Sequence, residues 1–189
     1  MHGHALSSIR YQELGSFVRH VTRVLAALSS AALLSLGAAN SAQADSPDNG
    51  FFNKLTNLNS GMCAAVGNNS TQPGAGLIQF PCDNKYNKQF SSGWAGTSAY
   101  FLRVRSTGQC VTPQGPANHA LVVQSYCSNN DAQVWVAESL GNDSYRLRNR
   151  SSGLCLTAAW GMTNSGQPLD QSTCGGFNGQ AWRFSAMHN

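Results

Sequence analysis

Between residues 99 and 150 apolar side chains alternate with polar ones, as in Tyr100-Phe101-Leu102-Arg103-Val104-Arg105 and Tyr145-Arg146-Leu147-Arg148-Asn149-Arg150. A period of two is the pattern of a strand with one buried face. Clusters of Gly, Asn, Ser and Pro break the runs, at Gly67 to Gly74, Thr112 to Pro116 and Thr163 to Pro168. These clusters predict turns and loops. No amphipathic helical window follows residue 45, so the pattern predicts an all-β chain of short strands. The first 44 residues differ. Val24 to Ala44 is 21 residues without a charge, preceded by Arg19, His20 and Arg23 and ending Ala42-Gln43-Ala44. Its dense apolar part stops near Leu36, short of the roughly 20 apolar residues a membrane span needs. It reads as a secretory signal over residues 1–44, cleaved after Ala44, with the basic residues unusually far inward. The expected mature chain is 45–189, extracellular and without a membrane span.

All six cysteines fall after residue 45, and they mark an internal repeat. Ser60-Gly61-Met62-Cys63, Thr107-Gly108-Gln109-Cys110 and Ser152-Gly153-Leu154-Cys155 recur at intervals of 47 and 45 residues. A second cysteine follows 19, 17 and 19 residues later, at Cys82, Cys127 and Cys174. Eight residues before each first cysteine stands Leu55, Leu102 or Leu147, and eight after each second stands Phe90, Trp135 or Trp182. Three before the second cysteine stands Gln79, Gln124 or Gln171. Six cysteines alone allow 15 pairings. The repeat, with units at about 51–98, 99–143 and 144–189, assigns Cys63 to Cys82, Cys110 to Cys127 and Cys155 to Cys174. Each such bridge stabilises by about 3 kcal/mol. No C-x-x-C pair occurs, which disfavours a zinc site, and no metal is expected. Three β units, each unable to bury its own apolar face, must share one core in a closed assembly of pseudo-three-fold symmetry.

The Ser-Gly-x-Cys phrases, the glutamine-bearing strands into the second cysteines, and Gln133-Val134-Trp135 and Gln180-Ala181-Trp182 together resemble the ricin-type lectin β-trefoil, whose repeats carry Gln-x-Trp. The resemblance spans Phe51 to about Phe184, and the first copy departs, reading Lys88-Gln89-Phe90. It implies twelve strands in three lobes, with the leucine and aromatic trios packed near the pseudo-axis. It also implies sugar binding through an Asp two residues after the first cysteine, an aromatic two before the second, and an Asn just before Gln-x-Trp. Those positions hold Ala65, Thr112 and Thr157; Phe80, Ser125 and Ser172; and Asn87, Ala132 and Gly179. Only the first lobe keeps two of the three groups. Phe80 and Asn87 are therefore the leading candidates, with Gln79, Asn68 and Asn69 as nearby amides and Trp160 and Tyr126 as substitute platforms. Losing a carboxylate that accepts sugar hydroxyls removes charge-assisted bonds worth about 1.5–3 kcal/mol each. The sites are accordingly degenerate, and avidity across three lobes is the compensation available.

The whole chain carries 12 basic and 8 acidic residues, and residues 45–189 carry nine and seven, a net +2 that argues against nucleic acid. Locally, Arg146, Arg148 and Arg150 alternate along one run, with Arg103 and Arg105 in the preceding repeat, and suggest an anionic glycan as a sharper alternative partner. Catalysis is poorly supported: residues 45–189 hold one glutamate, Glu138, and two histidines, His119 and His188. His119, in a Pro/Asn-rich turn, is expected to be solvated, and Asp131 to make a local turn hydrogen bond. The expectation is a monomeric, non-catalytic lectin module without cofactor, binding glycans or polysaccharides. The alternative is a trefoil frame used for non-carbohydrate contacts, as a toxin-delivery subunit, inhibitor or adhesin.

Overall fold

The computed structural model describes residues 51–175 and 178–187. The secretory signal expected at residues 1–44 lies outside the described residues. Twelve strands follow in chain order: β1 Phe52–Asn57, β2 Cys63–Val66, β3 Leu77–Phe80, β4 Phe90–Gly96, β5 Ala99–Val104, β6 Cys110–Pro113, β7 Val122–Ser125, β8 Val134–Gly141, β9 Ser144–Asn149, β10 Cys155–Ala158, β11 Leu169–Ser172 and β12 Trp182–Ala186. Five single 3-10 turns interrupt them, and none was expected from the alternation alone.

Six strands close a ring, β1 to β4 to β5 to β8 to β9 to β12 and back to β1, every pair antiparallel. Closure removes the unpaired edges an open sheet would present. The hairpins β2–β3, β6–β7 and β10–β11 complete lobes 1, 2 and 3, each formed of four consecutive strands. This is the β-trefoil expected. Alternation is retained in β9, where Tyr145, Leu147 and Asn149 are buried and Arg146 and Arg148 lie half out. The inward positions fill one core: Leu55, Leu102 and Leu147, with Phe90, Trp135 and Trp182, are at most 1% exposed. Each buried indole donates its N–H to a backbone carbonyl, Trp135 to Val111 and Trp182 to Leu156. The three disulfides pair as the repeat assigned them, one per lobe.

The glutamines of the repeat are wholly buried and join the lobes. Each Oε1 accepts from the hydroxyl that opens its own lobe's Ser/Thr-Gly-x-Cys phrase: Ser60 to Gln79, Thr107 to Gln124 and Ser152 to Gln171, at 2.7–2.9 Å. Each Nε2 donates to two carbonyls in a neighbouring lobe's loop. Gln79 reaches Met162 and Asn164, Gln124 reaches Ser70 and Gln72, and Gln171 reaches Gly115 and Ala117. A buried amide satisfied at both ends is stabilising, and truncating it leaves its partners unpaired. Gln124→Leu is expected to lower unfolding free energy by about 2–4 kcal/mol in urea titrations, whereas exposed Gln72→Ala is expected to change it by less than about 0.5 kcal/mol.

A candidate carbohydrate site in lobe 1

Lobe 1 holds a cleft of about 230 Å³ lined by Ala65, Val66, Asn68, Asn69, Ile78, Phe80, Lys85, Asn87 and Lys88. The small side chain of Ala65 leaves room where the family pattern has a carboxylate. Phe80, the last residue of β3, is 43% exposed at the rim. Asn68 and Asn69 stand in the turn Gly67–Asn69 with φ of 52° and 51°, a left-handed conformation that asparagine tolerates better than most residues. Asn87 sits in the turn Tyr86–Lys88, only 6% exposed. Its Nδ2 donates to the Val66 carbonyl at 2.9 Å, while its Oδ1 is buried without a donor. The fold thus brings together Phe80, Asn87, Asn68 and Asn69. Gln79 must be removed from that group, because it is fully buried and both ends of its amide are spent on the inter-lobe joint.

Lys88, which lines the cleft, and its partner Asp83 were not singled out as site residues from the sequence, although the register offered the signal. Lys88 occupies the position of the Gln-x-Trp glutamine. In lobe 2 Gln133 Nε2 donates to the Tyr126 carbonyl, and in lobe 3 Gln180 Nε2 donates to the Thr173 carbonyl. In lobe 1 the Lys88 ammonium donates to the equivalent Pro81 carbonyl at 2.9 Å and to Asp83 Oδ2 at 2.7 Å. The ammonium also lies 4.9 Å from the centre of the Phe80 ring, a cation–π contact. Its hydrogen bond holds the Asp83 carboxyl below the ordinary value of 3.8, against a smaller opposing effect of burial.

The other lobes are differently filled. Thr112 and Thr157, at the carboxylate position, each accept from their own lobe's glutamine, Gln133 and Gln180, at 3.1 Å. Tyr126 is 72% exposed and lies outside the lobe 1 cleft. At Gly179 a Cβ would lie 2.8 Å from the Ala158 carbonyl, so the chain there is pressed onto β10. Trp160 is 62% exposed and stacks on His119, with ring centroids 4.1 Å apart. His119 is therefore not simply solvated as expected; its Nδ1 lies 2.8 Å from Asp170 Oδ2. Asp131 likewise differs from the expected turn residue, since it pairs with Arg150 at 2.6 Å. Part of the arginine row is paired in the same way. Glu138 pairs with Arg148 and lies 4.0 Å from Arg146, and Arg105 is held between the rings of Phe52 and Tyr86. Arg146, Arg148 and Arg150 thus share two acids, Glu138 and Asp131, and Arg105 is held by rings and by the Gln89 amide rather than by an acid.

The sequence profile of the ricin-type beta-trefoil lectin domain-like family matches residues 43–125, 93–171 and 131–189, and the chain belongs to that family. No curated protein matches it in sequence. Among solved structures it is similar to the designed three-fold symmetric protein ThreeFoil, at 30% identity and a TM-score of 0.70, over 72% of this chain and 99% of that one. The ricin B-like lectin of Macrolepiota procera, solved in complex with lactose, matches at 22% identity and a TM-score of 0.63, over 74% and 98% of the two chains. An exo-beta-1,3-galactanase from Clostridium thermocellum matches at 20% identity and a TM-score of 0.70, over 75% of this chain and 31% of the enzyme. The last two likenesses concern the fold.

The Asp83 carboxyl binds its proton less readily folded than unfolded, so it contributes stability above the ordinary carboxylate value of 3.8, and that contribution is lost as pH falls through the lowered folded value. Asp83→Asn is expected to lower the plateau near neutrality and to flatten this acid limb, so that the variant and the unaltered protein converge at low pH in urea titrations run at successive pH values.

Proposed function

We propose that this protein is a secreted, non-catalytic carbohydrate-binding module whose principal site is the lobe 1 cleft. The observation that carries the reading is the Asn87 Oδ1, a buried acceptor without a protein donor beside the exposed ring of Phe80. Buried polar atoms in folded proteins are almost always paired. A saccharide supplies what these two groups need at once: hydroxyl donors for the amide oxygen and a C–H face for the ring. Asn68 and Asn69 add side-chain amides at the opening, and the Lys85 ammonium lines it as well. Family membership supports the same class of ligand. With Ala65 in place of a carboxylate, binding of simple galactosides is expected to be weak, in the range where avidity decides.

The non-catalytic reading rests on how the acids are used. Glu138 is bonded to Arg148, Asp131 to Arg150 and Asp83 to Lys88. Secretion rests on the pattern of residues 1–44 and agrees with a disulfide in every lobe.

A glycan array on the protein, with lactose titrated separately, tests the site. Phe80→Ala is expected to weaken binding up to about tenfold through loss of the stacking face, and Asn87→Ala by a similar factor. No saccharide bound by the unaltered protein at millimolar concentration would sink the reading. Undiminished binding by Phe80→Ala would move the site out of lobe 1.

A further inference from the structure

The internal repeat is a control on every position, because what two lobes do without, the fold does not require. Three residues at the junction of lobes 2 and 3 depart from it together. In each lobe one loop residue of positive φ donates its backbone N–H to the carbonyl of a buried glutamine. Gly74 (φ 85°) bonds Gln124, Gly166 (φ 82°) bonds Gln79, and His119 (φ 65°) bonds Gln171. Glycine adopts this conformation freely, and histidine does so at a cost. In each hairpin the residue after the first of its second strand is Ile78, Val123 or Asp170. Two are apolar and the third is a carboxylate 2% exposed, whose Oδ1 has no partner and whose pKa burial raises. Trp160 (φ 59°) stands in the turn where lobe 1 has Asn68 (φ 52°).

These departures meet in space. His119 Nδ1 and Asp170 Oδ2 are 2.8 Å apart, and the imidazole lies under the Trp160 indole with 20° between the planes. The carboxylate orients the ring and leaves Nε2 as the nitrogen available to a ligand. Backbone strain and a desolvated charge are retained only where something compensates for them, and the symmetric positions show that packing does not. The sugar position of lobe 3 itself is filled, since Thr157, Ser172 and Gln180 bond to one another and Gly179 is pressed onto Ala158. Trp160 is engaged with lobe 2 instead.

We infer that Trp160, His119 and Asp170 form a second saccharide site across the junction of lobes 2 and 3. The exposed face of the indole takes the C–H face of a pyranose ring, His119 Nε2 hydrogen-bonds one of its hydroxyls, and Asp170 is the positioning residue that fixes the imidazole. The platform is stacked before the ligand arrives, which lowers the ordering cost of binding. The inference rests on the carbohydrate-binding reading but not on the lobe 1 cleft.

The test replaces the two departures by the residues of the other lobes, His119→Gly with Asp170→Val, and separately makes Trp160→Ala, all in a Phe80→Ala background that weakens lobe 1. Lactose and a panel of methyl pyranosides are titrated by calorimetry for every variant, and where Trp160 is retained its indole N–H is followed by NMR as well. Phe80→Ala alone is expected to retain a binding phase that shifts this resonance. The His119→Gly, Asp170→Val change is expected to melt at the same temperature or higher and to weaken that phase by about tenfold or more, as is Trp160→Ala. A clear fall in melting temperature would assign the cluster to packing and overturn the inference. So would a residual phase unaffected by these changes, or its absence from Phe80→Ala while the unaltered protein binds, which leaves the lobe 1 reading standing. If the unaltered protein binds no saccharide, both readings fall.

Discussion

The three buried glutamines are the joint on which the molecule depends. Each takes a hydroxyl from its own lobe and gives two hydrogen bonds to the loop of a neighbour, so that lobe 1 holds lobe 3, lobe 3 holds lobe 2 and lobe 2 holds lobe 1. A lobe of four short strands has too little apolar surface to be stable alone, and the shared core of leucines and aromatics forms only when all three are present. The glutamines fix the geometry in which that core closes. Because amide donors and acceptors are directional, they specify the angle between lobes in a way that apolar contact alone does not.

With the frame so constrained, the lobes differ mainly in what they place around equivalent backbone. Lobe 1 exchanges a neutral glutamine for the Lys88–Asp83 pair and a polar group for Ala65, and a cleft results. Lobes 2 and 3 keep the glutamine and set a threonine against it, which accepts a hydrogen bond from the amide. The two exchanges together change which polar groups are bonded within the lobe.

The periodicity of the sequence carried the closed three-fold β assembly and its three bridges, because those features repeat and a repeat can be seen in one dimension; the family resemblance carried the trefoil and the packing of its core trios. Phe80 and Asn87 stand at positions the family pattern marks, and the fold brings both to one cleft. The remainder depended on non-repeating contacts. Gln79 read as a candidate site amide, because its partners Met162 and Asn164 are contributed by another lobe. His119 read as solvated because its partners Asp170 and Trp160 are 51 and 41 positions away. The arginine run alternates as written, but Glu138 and Asp131, which pair with part of it, reach it from outside that run.

The close approach of Gly179 to Ala158 also bears on how the valency of this protein can change. The position just before Gln-x-Trp is Asn87 in lobe 1, Ala132 in lobe 2 and Gly179 in lobe 3. Any side chain at Gly179 begins 2.8 Å from a main-chain carbonyl, which cannot rotate out of the way. Asparagine can therefore be introduced in lobe 2 by replacing a residue that already has a Cβ, whereas in lobe 3 the turn would first have to be rebuilt. Under the proposed carbohydrate-binding reading, drift or design toward further sugar sites meets no such barrier at this position in lobe 2 and a steric one in lobe 3, even though the three lobes share one fold.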